Sequence, residues 1–270
     1  MKTKNAFNSR RDFINKTVIV SSGILIPNIT YGKLYEENDF PLIDYHVHLT
    51  KQFTIEKAIT LAEKKEMKFG IVEHPGPGYA IQTDYDLKLY IEKLRKFPVY
   101  VGLQPVYLNW SKDFSRELLD KIDHVLMDAD TIPLENGHYL RIWQHDNYIE
   151  NINQFMDLYI NHIENILKYE PITIFARPTY LPINFARYYD KLWTNDRVSK
   201  IIELAKNNNI ALEISTPMHV PSKKIILQAK AAGLKFTFGT NARNFNAGKF
   251  HYGLQMAKEC NLTADNMLII

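Results

Sequence analysis

From Pro41 onward the chain alternates between short runs rich in β-branched and aromatic residues and longer stretches whose apolar positions recur at helical spacing. That alternation predicts repeated βα units around a parallel sheet. The strand-like runs are LIDYHVH (42–48), KFGIVEH (68–74), VYVGLQ (99–104), HVLMDA (124–129), ITIFAR (172–177), ALEIS (211–215) and FTFGTN (236–241), seven in all. Helical spacing marks 54–65, 83–96, 149–169, 196–209, 222–233 and 249–260. Thr83 with Asp86 has the form of an N-cap and first-turn acid, and Gly233 of a C′ stop. Apolar runs covered on both faces by crossover helices fit a barrel or a doubly wound sheet, and the barrel is the favoured reading. No fixed-period repeat, low-complexity tract or Gly/Ser linker interrupts 39–270, so this stretch reads as one domain. A single α/β barrel accounts for a chain of 270 residues.

Residues 1–38 carry a different pattern. Ser9-Arg10-Arg11-Asp12-Phe13-Ile14 is followed by the uncharged run TVIVSSGILIP (17–27). Eleven residues at about 1.5 Å each fall well short of a hydrocarbon core of about 30 Å, which argues against a permanent membrane span. The segment resembles a Tat export signal, which implies an exported, periplasmic protein. An amphipathic or disordered arm is the alternative, since no Ala-x-Ala cleavage site stands near Pro27. The net charge of +3 changes little. Lys2, Lys4, Arg10, Arg11 and Lys16 stand against Asp12 in the first sixteen residues, so the remainder is close to neutral and offers no nucleic-acid footprint. Cys260 is the one cysteine, which excludes an internal disulfide framework and any multi-cysteine metal site.

In α/β barrels, reactive groups gather where strands end and βα loops begin. Those ends hold His46 and His48, Glu73 and His74, Gln104, Asp128 and Asp130, Arg177, Glu213, Asn241 and Arg243. Each alone could cap a strand or fill a turn. Their joint placement at one end of seven successive strands points to a site. His46 and His48 lie at i and i+2 on a strand, so both rings face the same cavity, and two neutral nitrogens there suit a divalent transition metal. Packed, hydrogen-bonded histidines are the plainer alternative. Glu73-His74-Pro75-Gly76 adds a carboxylate and a third imidazole before a turn that would hold them still.

The runs DYHVHL, GIVEHPG, LEI (212–214) and KFTFGTN resemble, in order over roughly residues 42–260, the PHP superfamily, named for polymerase and histidinol phosphatase domains. TYLP (179–182), LEI and FTFGTN look most like a divergent, exported bacterial branch of it. The resemblance implies a distorted seven-stranded (β/α)7 TIM-like barrel, divalent metals such as zinc, manganese or iron, and phosphoester hydrolysis by metal-bound hydroxide. His46, His48 and His74 fall on the family's metal-binding histidines. Other positions depart from the pattern. Gln104 replaces a bridging glutamate, Asp128 or Asp130 stands at a histidine position, Arg177 precedes Pro178 where histidine is expected, and Asn241-Ala242-Arg243 replaces a final Asp-x-His. An amide in place of a bridging carboxylate, with guanidinium groups nearby, disfavours a cluster of cations.

One metal on His46, His48, His74 and Asp128 therefore remains, and so does a metal-free pocket. In the first reading, Glu73 or Glu213 takes a proton and Gln104, Arg177, Asn241 and Arg243 hold a small anionic substrate, most plausibly a phosphoester. In the second, the same arginines make the barrel an anion or sugar-phosphate receptor. A third reading is carbohydrate-directed hydrolysis or lyase chemistry. For Arg177 and Arg243, ion pairs with Glu73 or Glu213 that serve only the fold weigh evenly against anion binding. Trp110, Trp143 and Trp193, with Tyr79, Tyr107, Tyr180, Tyr188 and Tyr189, either wall a pocket or pack long loops. The other histidines read as surface or core, Cys260 as a small buried hydrophobe. No stable membrane span and no nucleic-acid partner is expected; oligomeric state is open.

Overall fold

Seven parallel strands close on themselves in the computed structural model, which describes residues 39–144, 149 and 151–270. The twin-arginine segment and the proposed boundary at residue 38 lie outside the described residues. The barrel strands are β1 (Ile43–Val47), β2 (Lys68–Glu73), β3 (Tyr100–Leu103), β4 (His124–Met127), β7 (Ile174–Phe175), β8 (Ala211–Ser215) and β9 (Phe236–Gly239). All seven strand-like runs of the sequence are strands, so the fold is a (β/α)7 TIM-like α/β barrel. Asp44 opposite Phe238 closes the ring between β1 and β9. The crossover helices include α1 (Ile55–Lys64), α2 (Asp84–Leu94), α4 (Ile152–Tyr169), α6 (Asn195–Asn207), α7 (Lys223–Ala231) and α8 (His251–Glu259), with the single turns α3 (Arg116–Leu119) and α5 (Tyr189–Leu192) among them. Among the described residues, no helix is long and apolar enough to cross a membrane.

The caps follow from the sequence. Thr83 accepts from the Asp86 backbone N–H while Asp86 accepts from Thr83 N–H, a capping box that starts α2. Gly233 takes φ +86° just beyond α7, where a Cβ would be strained. One feature was not anticipated: β5 (Thr131–Pro133) and β6 (Tyr139–Arg141) form an antiparallel hairpin after β4, outside the barrel.

The core has two parts. The larger lies between strands and helices, with Phe69, Ile71, Val101, Leu103, Leu212 and Phe236 facing α-helical Ala58, Ile91, Ile163 and Ile226. The smaller is made of side chains on strands or just past their ends, Ile43, Tyr45, Val72, Leu126, Ile174 and Ala176, and fills the barrel interior. Below the site, the His124 ring occupies the space that a Cβ at Gly70 or Gly102 would need, and its Nε2 lies 2.9 Å from the Tyr45 carbonyl. Burial holds His124 neutral, its pKa lowered to about 4. His124 and His162 are thus core histidines.

Candidate functional site

Every strand-end residue singled out in the sequence lies at the C-terminal mouth of the barrel, and several of them close a ring of hydrogen bonds. Glu213 Oε2 meets His46 Nδ1 at 2.7 Å, and His46 Nε2 meets Gln104 Oε1 at 3.1 Å. Gln104 Nε2 donates to Asp128 Oδ2 at 2.7 Å, and Arg177 Nη2 donates to the same oxygen at 2.6 Å. Arg177 N–H returns to Glu213 Oε1 at 3.2 Å. Asp128 can only accept, so the Gln104 amide must turn its NH2 group toward Asp128 and its oxygen toward His46. His46 then faces an oxygen at each ring nitrogen, Glu213 Oε2 on one side and Gln104 Oε1 on the other.

Arg177 is the cation of this ring. Its Nη2 also lies 3.1 Å from Asp130 Oδ2, and all three side chains are nearly closed off from water. It takes φ +46° directly before Pro178, and Thr179 follows at φ +69°. Neither conformation is favourable for a residue with a Cβ, and the ion pairs together with the Glu213 contact hold the segment there. The ion-pair partners of Arg177 are Asp128 and Asp130, which corrects the expected pairing with Glu73 or Glu213: only the Arg177 backbone reaches Glu213. The two aspartates titrate apart. Burial raises Asp128, but the adjacent Arg177 charge and the bonds from Arg177 and Gln104 outweigh it, leaving the carboxyl at about 2. Asp130 lacks hydrogen-bond geometry at either oxygen, and burial pushes it up to about 8.

Glu213 owes its position to Gly239 on the neighbouring strand, because a Cβ at that residue would collide with the Glu213 carboxylate. A Gly239→Ala variant should lose about 1–3 kcal/mol of stability, as overpacked cores do, which urea unfolding measures. Asp44 is a second residue that the sequence reading passed over. It accepts from Thr240 N–H and Oγ1–H, at 3.1 and 2.5 Å, and from Gly248 N–H at 2.8 Å. These bonds pin both ends of the loop that carries Asn241 and Arg243. Its signal lay in the run DYHVH itself, an acid two residues before the first histidine.

His46, His48 and His74 do converge: ring centroids are 5.5 Å apart between the first two and 5.0 Å between the last two. His74 Nδ1 lies 2.8 Å from the Gln104 carbonyl and donates to it, leaving the lone pair on Nε2. His48 is buried with Nε2 unpartnered, and burial first, then the neighbouring His46, lowers its pKa well below the ordinary value. Burial lowers His74 as well. A divalent metal fits this arrangement poorly. Coordination needs a free imidazole nitrogen, yet oxygens of Glu213 and Gln104 already occupy both His46 nitrogens, and Asp128 is committed to Gln104 and Arg177.

Above the ring opens a cleft of about 1000 Å³. His74, Gln104, Asp128, Arg177, Asn241 and Arg243 form its polar end. Glu73 lies beside it, its Oε1 accepting from His74 N–H at 2.9 Å. Arg243 is exposed and donates from Nη1 to the Asn241 side chain at 2.8 Å. Among the described residues it makes no ion pair with a carboxylate. The aromatic residues divide between the two roles considered for them. Tyr79, Trp143, Tyr180 and Tyr189 line the cleft, whereas Trp110 and Trp193 are buried packing residues, the latter donating to Thr179 O at 2.9 Å.

No protein-family model and no curated protein matches the chain. Among solved structures it is similar to a chain of archaeal ribonuclease P with mature tRNA, at 14% identity and a TM-score of 0.43, over 82% of this chain and 83% of that one. It is also similar to citrate synthase SbnG, at 11% identity and a TM-score of 0.36, over 86% of this chain and 97% of that one. Neither likeness is close enough to carry an argument about activity.

Proposed function

We propose that this barrel binds a small anion, a phosphoester or a carboxylate, in the cleft at its C-terminal mouth. The observation that carries the reading is the contrast between the two arginines. Within the buried ring, the Arg177 guanidinium is held by Asp128 and Asp130, so it offers little free charge to the cleft. Among the described residues Arg243 makes no such ion pair, feeling Glu73 and Asp128 only at longer range, and a guanidinium offers five N–H donors in a planar fork that matches phosphate or carboxylate oxygens. Its loop is fixed in advance by Asp44, which lowers the ordering cost of binding. Partial desolvation at the cleft wall of this otherwise exposed side chain, with the Arg177 charge behind it, lowers the Arg243 pKa, but a guanidinium stays charged at any physiological pH. In thermal-shift and calorimetric titrations, phosphate or a phosphonate should stabilise the protein, and Arg243→Ala should weaken binding about tenfold to a hundredfold. Equal affinity in wild type and variant would remove the reading.

Metal-dependent phosphoester hydrolysis, the reaction that the PHP resemblance implies, is the second reading. One observation favours it: His48 Nε2, buried and unpartnered, stands beside the His74 ring. For His46 to join them, Gln104 would have to release its Nε2. Elemental analysis of protein prepared without chelators separates the readings. Stoichiometric zinc, manganese or iron that disappears in His46→Ala would move the assignment to the hydrolase.

A further inference from the structure

Resting on the anion-binding reading, we infer that the ligand has an apolar body as well as a charged head: an aryl or acyl phosphoester or carboxylate. A space of about 1000 Å³ is at the upper end for small-molecule sites and far exceeds what a bare oxyanion fills. Beyond the polar end the walls set a group of apolar side chains among Thr131, Arg141, Asp190, His219 and Ser222. Val106, Leu181, Ile183, Met218 and Val220 contribute aliphatic side chains, and Tyr180 and Trp143 contribute rings. Sugar sites pair aromatic faces with polar groups that match hydroxyls, whereas branched aliphatic side chains gain only from covering apolar surface.

A second observation concerns the rim. Ile183 is 63% exposed, Trp143 48% and Met218 38%, and all three border this one cleft. Large apolar groups left in water around a concave polar-ended site mark where an apolar ligand surface is covered. Arg141 and Asp190 also line the cleft, one of each sign, so together they add no net charge to it. With these two walls balanced, the charged head of the ligand belongs at Arg243 and its body against the apolar side chains.

The test is isothermal calorimetry on the full chain with methylphosphonate, benzylphosphonate, benzyl alcohol and glucose 6-phosphate. Benzylphosphonate should bind at least about tenfold more tightly than methylphosphonate, the ring being withdrawn from water. The double variant Ile183→Gln, Met218→Gln, altered at exposed positions that should leave folding intact by circular dichroism, should reduce that ratio severalfold while methylphosphonate affinity holds. Equal binding of the two phosphonates, or preference for the sugar phosphate, overturns the apolar body and leaves the anion reading standing. Benzyl alcohol binding as tightly as benzylphosphonate, or no binding by any anion, overturns the anion reading itself.

Discussion

Replacing Arg177 with methionine should cost about 3–5 kcal/mol of folding stability, measured by urea or guanidinium unfolding near pH 8, because it leaves the buried Asp128 carboxylate without its cation. Asp128 lies 2.6 Å and Asp130 3.1 Å from the same Nη2, with side-chain exposures of 12% and 1%. Methionine supplies comparable apolar volume, so the loss reports the missing charge more than a cavity. The deficit should shrink toward pH 5, where protonation can neutralise the stranded acids in place of the guanidinium. Arg177→Lys should recover only part of it. An ammonium on a flexible stem cannot reach both aspartates with the planar geometry of the native fork. A loss under about 1 kcal/mol would show that the ring is a loose surface pair, of the kind whose median worth is about 0–1 kcal/mol.

Asp130→Asn should remove a pH-dependent weakness from the protein. The Asp130 carboxyl is raised by burial to about 8, against about 3.9 in an unfolded chain. Below the lower value both states hold the proton. Between the two values the unfolded chain has released it and the folded protein has not, so stability falls as pH rises across this window and levels off above about 8. Other groups act on the same range. His124 and His162 are lowered by burial to about 4, and they withdraw stability as pH falls from about 6.5. Asp128, held at about 2, does the same below about 3.9. These contributions are shared by wild type and variant and largely cancel in the difference between them. Relative to wild type, Asp130→Asn should therefore gain at least about 2 kcal/mol between pH 5 and pH 8. Parallel stability curves would show that Asp130 is ionised throughout, balanced by Arg177 alone.

The barrel was legible because its strands are buried on both faces, which concentrates β-branched and aromatic residues into runs that stand out between amphipathic stretches. The β5–β6 hairpin was not. Its strands hold three residues each, one of them Pro133, and Asn136-Gly137 was the only strong turn signal in a stretch of largely exposed side chains. The period of two placed His46 and His48 in one cup correctly. The same period would put Asp44 there too, but the register slips between Asp44 and Val47, and Asp44 serves the loop at Thr240 and Gly248 instead. The Arg177 partners were misjudged for a related reason. Its strand lies between β4 and β8, so either Asp128 or Glu213 was within reach, and the choice follows from a left-handed backbone that no side-chain pattern announces. Gln104 was read as the loss of a bridging charge. Its positive role, bridging the His46 ring and the Asp128 carboxylate, depends on three strands meeting and is visible only in the fold.

The direct measurement is anomalous diffraction from crystals of the protein soaked in tungstate, a tetrahedral oxyanion that stands in for phosphate. The expected result is a tungsten peak in the cleft with its oxygens within hydrogen-bond reach of the Arg243 guanidinium, absent from Arg243→Ala crystals treated alike. A peak that persists without Arg243, or a cleft that takes up no anion while tungstate binds elsewhere on the surface, would contradict the assignment.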